Sequence, residues 1–397
     1  MPPVTMSPRE YLSPLTGLRL FAALCILVGH ASTRVMSFSP NAMALQYISR
    51  PVLIGLPIFF ILSGFVIHYN YSAFLGNKRK FPWKRFFLSR IFRLYPLYFF
   101  LLIIFFVADK FINHLPVDPS TSILIPIKLF CIQSWFFHNI GGFIPYTAFF
   151  TISWAVSTEL FFYCIYPWTG RLVSGMHRPV AILAAILAVT GLAALGSYAV
   201  VSHWGQLDAW ALAQQAPSAG TTRPSFTHWL INVSPYGRLA EFLVGCLLAQ
   251  LHLQLLQRPL SPRETRWGVA ATFTVALLLA VAILCFNPRS PWFGIAPGIA
   301  VLIFCLARYK GALQSVLAWR PFVVLGESSY AIYLTHVLFL RLFNRNGTVE
   351  HLLNGGYLVE WLFRMVVACS FCLLVGYAIY VILEKPMNTL LRQRYLT

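Results

Sequence analysis

The sequence predicts an all-α fold, a polytopic membrane helix bundle of about ten transmembrane helices with both termini in the cytoplasm. Three observations carry that prediction. The 397 residues are 58% hydrophobic and only 10% charged, against roughly 25% charged in a soluble domain. Apolar windows of about 20 residues recur along the whole chain. Between them, Lys and Arg collect in every second connection, the pattern that cytoplasmic loops show.

The spans are expected to begin near Leu15, Pro51, Leu94, Phe149, Val180, Tyr236, Trp267, Trp292, Pro321 and Tyr357. The first is read as a retained helix, because its apolar run carries Arg19 and His30, which a signal peptide would avoid. Residues 15–384 form the membrane domain, flanked by cytoplasmic segments 1–14 and 385–397, the second one basic. Asp109–Tyr146 and Val201–Pro235 are expected outside, the first with an interfacial helix in "KLFCIQSWFFHN", the second as a plain loop.

The net charge of +19 does not point to nucleic acid, because the cations alternate with apolar spans and form no single soluble face. The second connection, "GNKRKFPWKRFFLSRIFR", is the densest, and the pattern recurs at Arg171, Arg178, Arg258, Arg263, Arg266, Arg308, Lys310 and Arg320. Of eight cysteines, seven sit in apolar runs, where they pack as small hydrophobes. Cys369-x-x-Cys372 has a metal-like spacing without a second ligand pair, so no metal is expected. The bilayer, in a cell's inner (plasma) membrane, is the expected surroundings.

Polar groups inside the spans carry the functional reading, since a charged residue costs about 2.5–3.5 kcal/mol at mid-membrane on insertion scales. In "TGLRLFAALCILVGHAS", Arg19 and His30 are eleven residues apart, close to three helical turns. They share one face, about 16 Å apart along the axis. A fixed cation near the entrance and a titratable base deep in the bilayer fit a catalytic face. A snorkelling arginine and a histidine bonded to a neighbouring helix fit equally well.

Glu159, in "TISWAVSTELFFYCIYP" five residues after Trp154, lies near the middle of its span. It can orient a histidine or satisfy an interhelical hydrogen bond. Arg238 and Glu241, three apart, read as an internal ion pair. In "FVVLGESSYAIYLTHVLFL", Tyr330, Tyr333 and His336 form a stripe that lines a cavity or packs between helices. Arg90 and Arg93 share a face where the third span begins, with the geometry of a phosphate grip or a lipid-headgroup contact.

Taken in order, these motifs resemble the acyltransferase-3 family of integral membrane acyltransferases, which includes many bacterial sugar and lipopolysaccharide O-acetyltransferases. The resemblance spans essentially the whole chain. It rests on Arg19 with His30, "FFILSGFVI" (Phe59 to Ile67), Arg90-x-x-Arg93 followed by Tyr95-Pro96, Trp154 with Glu159 and "FFY", "RLAEFLVG", and "SYAIYLTH" (Ser329 to His336).

It implies transfer of an acyl group, usually acetyl, from cytoplasmic acyl-CoA as co-substrate, with no bound cofactor, to a hydroxyl of a carbohydrate or glycolipid acceptor. By the same resemblance, His30 matches the essential histidine and Arg19 the basic residue paired with it. Arg90 and Arg93 match the arginine motif, Glu159 the acid of the tryptophan-to-glutamate motif, and Ser329 a functional serine. His30, Glu159 and Ser329 are therefore the candidate catalytic set. Arg19, Arg90 and Arg93 are the candidates for the donor's phosphates, and Trp154, Tyr330 and His336 for the acceptor. Glu327 is a second candidate to orient His30, and Tyr330 to help Ser329 stabilise an oxyanion.

Leu160 departs from the family, many members of which have a second polar residue there, so a single working carboxylate is expected in that motif. No fused esterase-like domain is present in the sequence, and handover to one within the chain is not expected. The competing class is a polytopic transporter, which shares the spans and buried charges but for which no inverted repeat or paired broken helices are evident in the sequence.

Overall fold

The computed structural model describes residues 10–35, 49–75, 81–111, 122–140, 143–214, 225–256, 258–285, 295–345 and 357–396. Among them the secondary structure is helical, apart from one isolated bridge between Ile140 and Phe143. The long elements are α1 (Ser13–Val35), α2 (Val52–Tyr71), α3 (Trp83–Phe111), α5 (Trp154–Ser174), α6 (Pro179–Ser202), α8 (Pro235–Leu255), α9 (Pro262–Cys285), α10 (Ala296–Arg308), α13 (Ser329–Arg345) and α14 (Tyr357–Ile379). Short helices join them: α4 (Leu124–Leu129), α7 (Trp204–Ala213), α11 (Ala312–Leu317), α12 (Arg320–Glu327) and the terminal α15 (Lys385–Leu396).

Six helical stretches among the described residues are long and apolar enough to cross a membrane, seven if the bent pair α12–α13 is one span. Two further helices, α5 and α8, have 21 residues each but carry internal charges, and α10 has only 13. The span expected near Trp292 begins outside the described residues, and the described helix starts at Ala296. The third span starts earlier than expected, at Trp83, so Arg90 and Arg93 lie within α3 and not ahead of it.

The core is built on α1, α2 and α8, each mostly buried. Gly64 of α2 and Gly245 of α8 make a seam so close that a Cβ on Gly64 would meet the Phe242 carbonyl oxygen at 2.1 Å. One on Gly245 would meet that of Ile61 at 2.0 Å. Small residues at such a crossing let two helices approach without the apolar drive available in water. Around this core, α6, α9 and α14 expose Leu187, Leu192, Leu277, Leu278, Val366 and Leu374, side chains that suit lipid as solvent.

Two connections differ from expectation. The stretch expected to form an interfacial helix is instead folded into the bundle, and only Leu124–Leu129 is helical. Tyr98, fifteen residues and about 22 Å along α3, donates to the Lys128 carbonyl at 2.5 Å, and Tyr95 donates to that of Leu129. The side chains of Lys128, Gln133 and Ser134 are fully buried. Lys128 Nζ donates to the Phe150 carbonyl at 3.2 Å, Gln133 to the Ser153 carbonyl at 3.0 Å, and Ser134 to Ser157 at 2.9 Å. These bonds give the stretch partners that an exposed helix would lack, and they outweigh the interfacial preference of the aromatics. The second connection is not a plain loop: it holds α7 and a turn at Phe226–His228 that continues as a π-helix, Trp229–Val233.

Candidate functional site

Five helices converge on a narrow slot of about 60 Å³. Arg19 of α1, Phe59, Phe60 and Ser63 of α2, Arg90 and Arg93 of α3, Glu159 of α5, and Ser329, Tyr330 and Tyr333 of α13 line it. The helical period explains the convergence. In "FFILSGFVI", Phe59, Phe60, Ser63 and Ile67 recur on one face and meet the slot, while Gly64 turns to the seam with α8. Arg90 and Arg93, three apart, present their guanidinium groups to the same slot.

Glu159 accepts hydrogen bonds from Ser63 Oγ at 3.1 Å and from the Tyr163 hydroxyl. Its charge acts on both Arg19 and Arg93. Among the described residues, neither of these guanidinium groups has a hydrogen-bond or ion-pair partner. Arg90 is buried over three rings, 5.4 Å from Tyr71, 5.8 Å from Phe86 and 5.7 Å from Tyr163. Cation–π contacts lower its desolvation cost but do not neutralise it. The slot thus holds three cations against one carboxylate, an arrangement that favours an anionic visitor.

Ser329 stands at a break. The axes of α12 and α13 meet at 66°, and Ile332 N–H donates to the Ser328 carbonyl to open α13. The first N–H groups of α13 therefore have no carbonyl from a preceding turn, and the helix start favours negative charge beside Ser329. Tyr330 donates its hydroxyl proton to the Leu94 carbonyl at 2.8 Å, and Tyr333 to that of Ile152 at 2.9 Å. Both tyrosines fix the slot's wall against α3 and the entrance of α5.

Beyond Tyr333 lies a histidine pair. The rings of His30 and His336 have centroids 5.2 Å apart, and His336 lies 5.8 Å from the Tyr333 ring. His336 Nδ1 is 2.5 Å from the Tyr333 carbonyl oxygen. A carbonyl only accepts, so the neutral ring carries its proton on Nδ1 and keeps Nε2 as the basic nitrogen. His30 is not itself in the wall of the slot.

At its other end the slot opens through Arg19 and Arg93 into a mouth of about 400 Å³. Tyr11, Glu327, Glu384, Lys385, Asn388 and Arg392 also line it. Glu327 accepts from Tyr11 at 3.4 Å and Tyr380 at 3.3 Å.

The residues singled out by sequence fall into three places. Arg19, Arg90, Arg93, Glu159, Ser329 and Tyr330 share the slot; His30 and His336 pair one layer beyond it. Trp154 packs at the start of α5 and is outside the slot's wall. One expected relationship is decided and one corrected. Of the two readings of Glu159, the interhelical hydrogen bond is the one present, from Ser63 of α2 with Tyr163 as a second donor, and no histidine is bonded to it; Glu327 lies in the mouth instead of beside His30. Arg238 and Glu241 do form a buried ion pair, at 2.8 Å. Sequence reasoning missed Ser63, Tyr163, Glu384 and Arg392. Ser63 carried a signal, a polar side chain in an otherwise apolar motif.

A helical bundle of apolar spans that buries a cationic slot, a carboxylate and a histidine pair defines an integral membrane protein with an internal polar cavity. The chain belongs to the acyltransferase domain family (Acyl_transf_3), whose model matches residues 14–381, and it is an acyltransferase.

It is 31% identical to acyltransferase MdmB of Streptomyces mycarofaciens, across 98% of this chain and 95% of that one. Identity to YrhL of Bacillus subtilis is 26%, across 96% of this chain and 55% of the other. The peptidoglycan O-acetyltransferase OatA of Listeria monocytogenes is 21% identical, across 84% and 50% respectively. The chain thus spans about half the length of the latter two. No solved structure matches it significantly.

Proposed function

We propose that this acyltransferase moves an acyl group, acetyl in the first instance, from acyl-CoA to a hydroxyl of a carbohydrate or glycolipid acceptor. The observation that carries the reading is one continuous path. A polar mouth narrows at Arg19 and Arg93 into a slot, and the histidine pair stands just beyond the slot's far wall. About 60 Å³ holds only a few waters. It admits a slender acylated arm and excludes a sugar ring, so donor and acceptor approach from opposite ends.

The mouth faces the cytoplasm in this reading, because Arg171, Arg178, Arg258, Arg263, Arg266, Arg308, Lys310 and Arg320 mark the connections on that side. Arg90 and Arg93, with Arg19, hold donor phosphates or the polar arm by charge-assisted hydrogen bonds. The thioester comes to rest beside Ser329 and Tyr333. The histidine pair removes the proton from the acceptor hydroxyl as its oxygen attacks the thioester carbonyl. Ser329 and the first N–H groups of α13 stabilise the oxyanion. The C–S bond then breaks, and the thiolate takes the proton from the imidazolium. Tyr330, whose proton is spent on Leu94, serves as wall, and Glu159 serves as counter-charge to the arginines. Trp154 lies on the outer approach, where the acceptor ring is expected.

The names of OatA and its kind support a cell-surface carbohydrate as acceptor. The test is transfer of labelled acetyl from acetyl-CoA by the purified chain, with surface glycans weighed from cells with and without it. An acetyl-sized mass difference is expected. Full transfer by both His30→Ala and Arg90→Ala would show the site to be wrong.

A further inference from the structure

The mouth is walled in part by the C-terminal helix, and the way that helix is turned is informative. Lys385, Asn388, Thr389 and Arg392 all line the mouth. Their spacing of i, i+3, i+4 and i+7 is one continuous face of α15. Its opposite side exposes Leu390, and Tyr395, three residues beyond Arg392, packs its ring 5.7 Å from Phe92 of α3. The stripe borders the mouth, and three of its four side chains, Lys385, Thr389 and Arg392, are exposed there and open to a polar occupant.

Charge and hydrogen bonding define that occupant. The mouth carries Arg19, Arg93, Lys385 and Arg392 against Glu327 and Glu384, an excess of two positive charges. Arg90 adds another just inside the slot. Glu384 Oε2 and Asn388 Oδ1 are buried and have no hydrogen-bond partner among the described residues. Both can accept, so an occupant that brings donors as well as negative charge would complete the site. A nucleotide brings both: phosphates for the cations, and ribose hydroxyl or base N–H groups for the two orphaned oxygens. The mouth has about 400 Å³ and the slot about 60 Å³, so a nucleotide fits only the former.

We propose that α15 is part of the donor site, with Arg392 and Lys385 holding the phosphates of the donor's nucleotide end and Asn388 and Glu384 accepting hydrogen bonds from its ribose or base. The proposal rests on the acyl-CoA reading above and deepens it. It makes the C-terminal helix, a basic tail by sequence, the element that distinguishes a nucleotide-bearing thioester from a bare one.

The test is steady-state transfer by the full-length chain in neutral-lipid nanodiscs, with acetyl-CoA and S-acetylpantetheine as alternative donors. Arg392→Gln is expected to lower the kcat/KM preference for acetyl-CoA over S-acetylpantetheine about tenfold, the scale of one phosphate contact. The loss should appear in the KM for acetyl-CoA, with Arg392→Lys restoring much of it. Leu390→Ser, on the outward face, is the control and should leave the preference unchanged. An equal fall with both donors, or no fall, would overturn the proposal. So would an Arg392 effect that appears only when anionic lipid is added, which would make the occupant a lipid headgroup. Failure of the unaltered chain to use acetyl-CoA at all would overturn the acyl-CoA reading itself.

Discussion

His30 of α1 and His336 of α13 face one another with ring centroids 5.2 Å apart and planes inclined by 35°. The Tyr333 carbonyl fixes the tautomer of His336, so its Nε2 is the nitrogen able to take a proton. Residues 306 positions apart in sequence therefore form one chemical unit at the far end of the slot. In the proposed mechanism the pair is the general base, and each ring holds the other in place, so the function is lost if either ring is removed.

His30→Ala and His336→Ala are each expected to lower kcat by about 10²–10⁴-fold, the usual worth of a positioned base. The double variant should be no worse than the poorer single one, because the pair acts as a unit. Transfer rates of the purified single and double variants check this. Multiplicative losses would mean that His336 supports the bundle independently of His30.

Glu159→Gln keeps a partner for Ser63 and Tyr163 but leaves Arg19, Arg90 and Arg93 without their one carboxylate in the slot. Unpaired buried charge is costly, about 3–5 kcal/mol when a buried pair is broken, and less here because the arginines border a cavity. The melting temperature in detergent should fall. Saturating CoA should restore more of it in the variant than in the parent chain, since an anion replaces the lost charge. Thermal unfolding with and without CoA measures both, and equal restoration would remove Glu159 from the electrostatics of the slot.

Much of this arrangement was legible from spacing. Arg19 and His30, and Arg90 and Arg93, lie on the faces that the helical period assigns, because α1 and α3 are unbroken where those residues sit. The partners across helices were not legible. Periodicity gives a residue's face but not its neighbour, so Glu159 read either as a partner for a histidine or as an interhelical hydrogen-bond acceptor, and Ser63 of α2 makes it the second. The connections were the least legible. "KLFCIQSWFFHN" carries the aromatic composition of an interface, while its hydrogen bonds with Tyr98, Phe150, Ser153 and Ser157 draw it into the bundle. The stripe of α15 along the mouth reads in sequence as an ordinary basic tail, because nothing in it marks the helix face that meets Arg19 and Arg93.

Gly64→Ala and Gly245→Ala should each destabilise the protein by at least the roughly 1–3 kcal/mol typical of overpacking, because the added methyl would meet a carbonyl oxygen at 2.1 or 2.0 Å. Transfer should fall with stability, since α2 carries Ser63 and both phenylalanines of the slot. Gly196→Ala is the comparison: a Cβ there meets nothing within 4 Å, and replacing a helical glycine with alanine should be neutral or stabilising. Thermal unfolding of the three variants decides whether the α2–α8 seam sets the spacing of the slot.

Tyr98→Phe tests whether the folded-in segment supports the site. The substitution keeps the ring beside Phe150, 6.1 Å away, but removes the donor to the buried Lys128 carbonyl. That loss should cost about 1–3 kcal/mol and loosen the segment that ends in the Gln133 and Ser134 contacts to α5. Cys131 is a built-in reporter, a free thiol that is only 1% exposed. Peptide-level mass spectrometry after thiol labelling should find Cys131 modified faster in the variant, with a lower transfer rate because Glu159 stands on the helix this segment braces. If Cys131 stayed equally protected while the rate fell, Tyr98 would act on the slot directly through α3; if neither changed, the remaining hydrogen bonds would suffice to hold the segment.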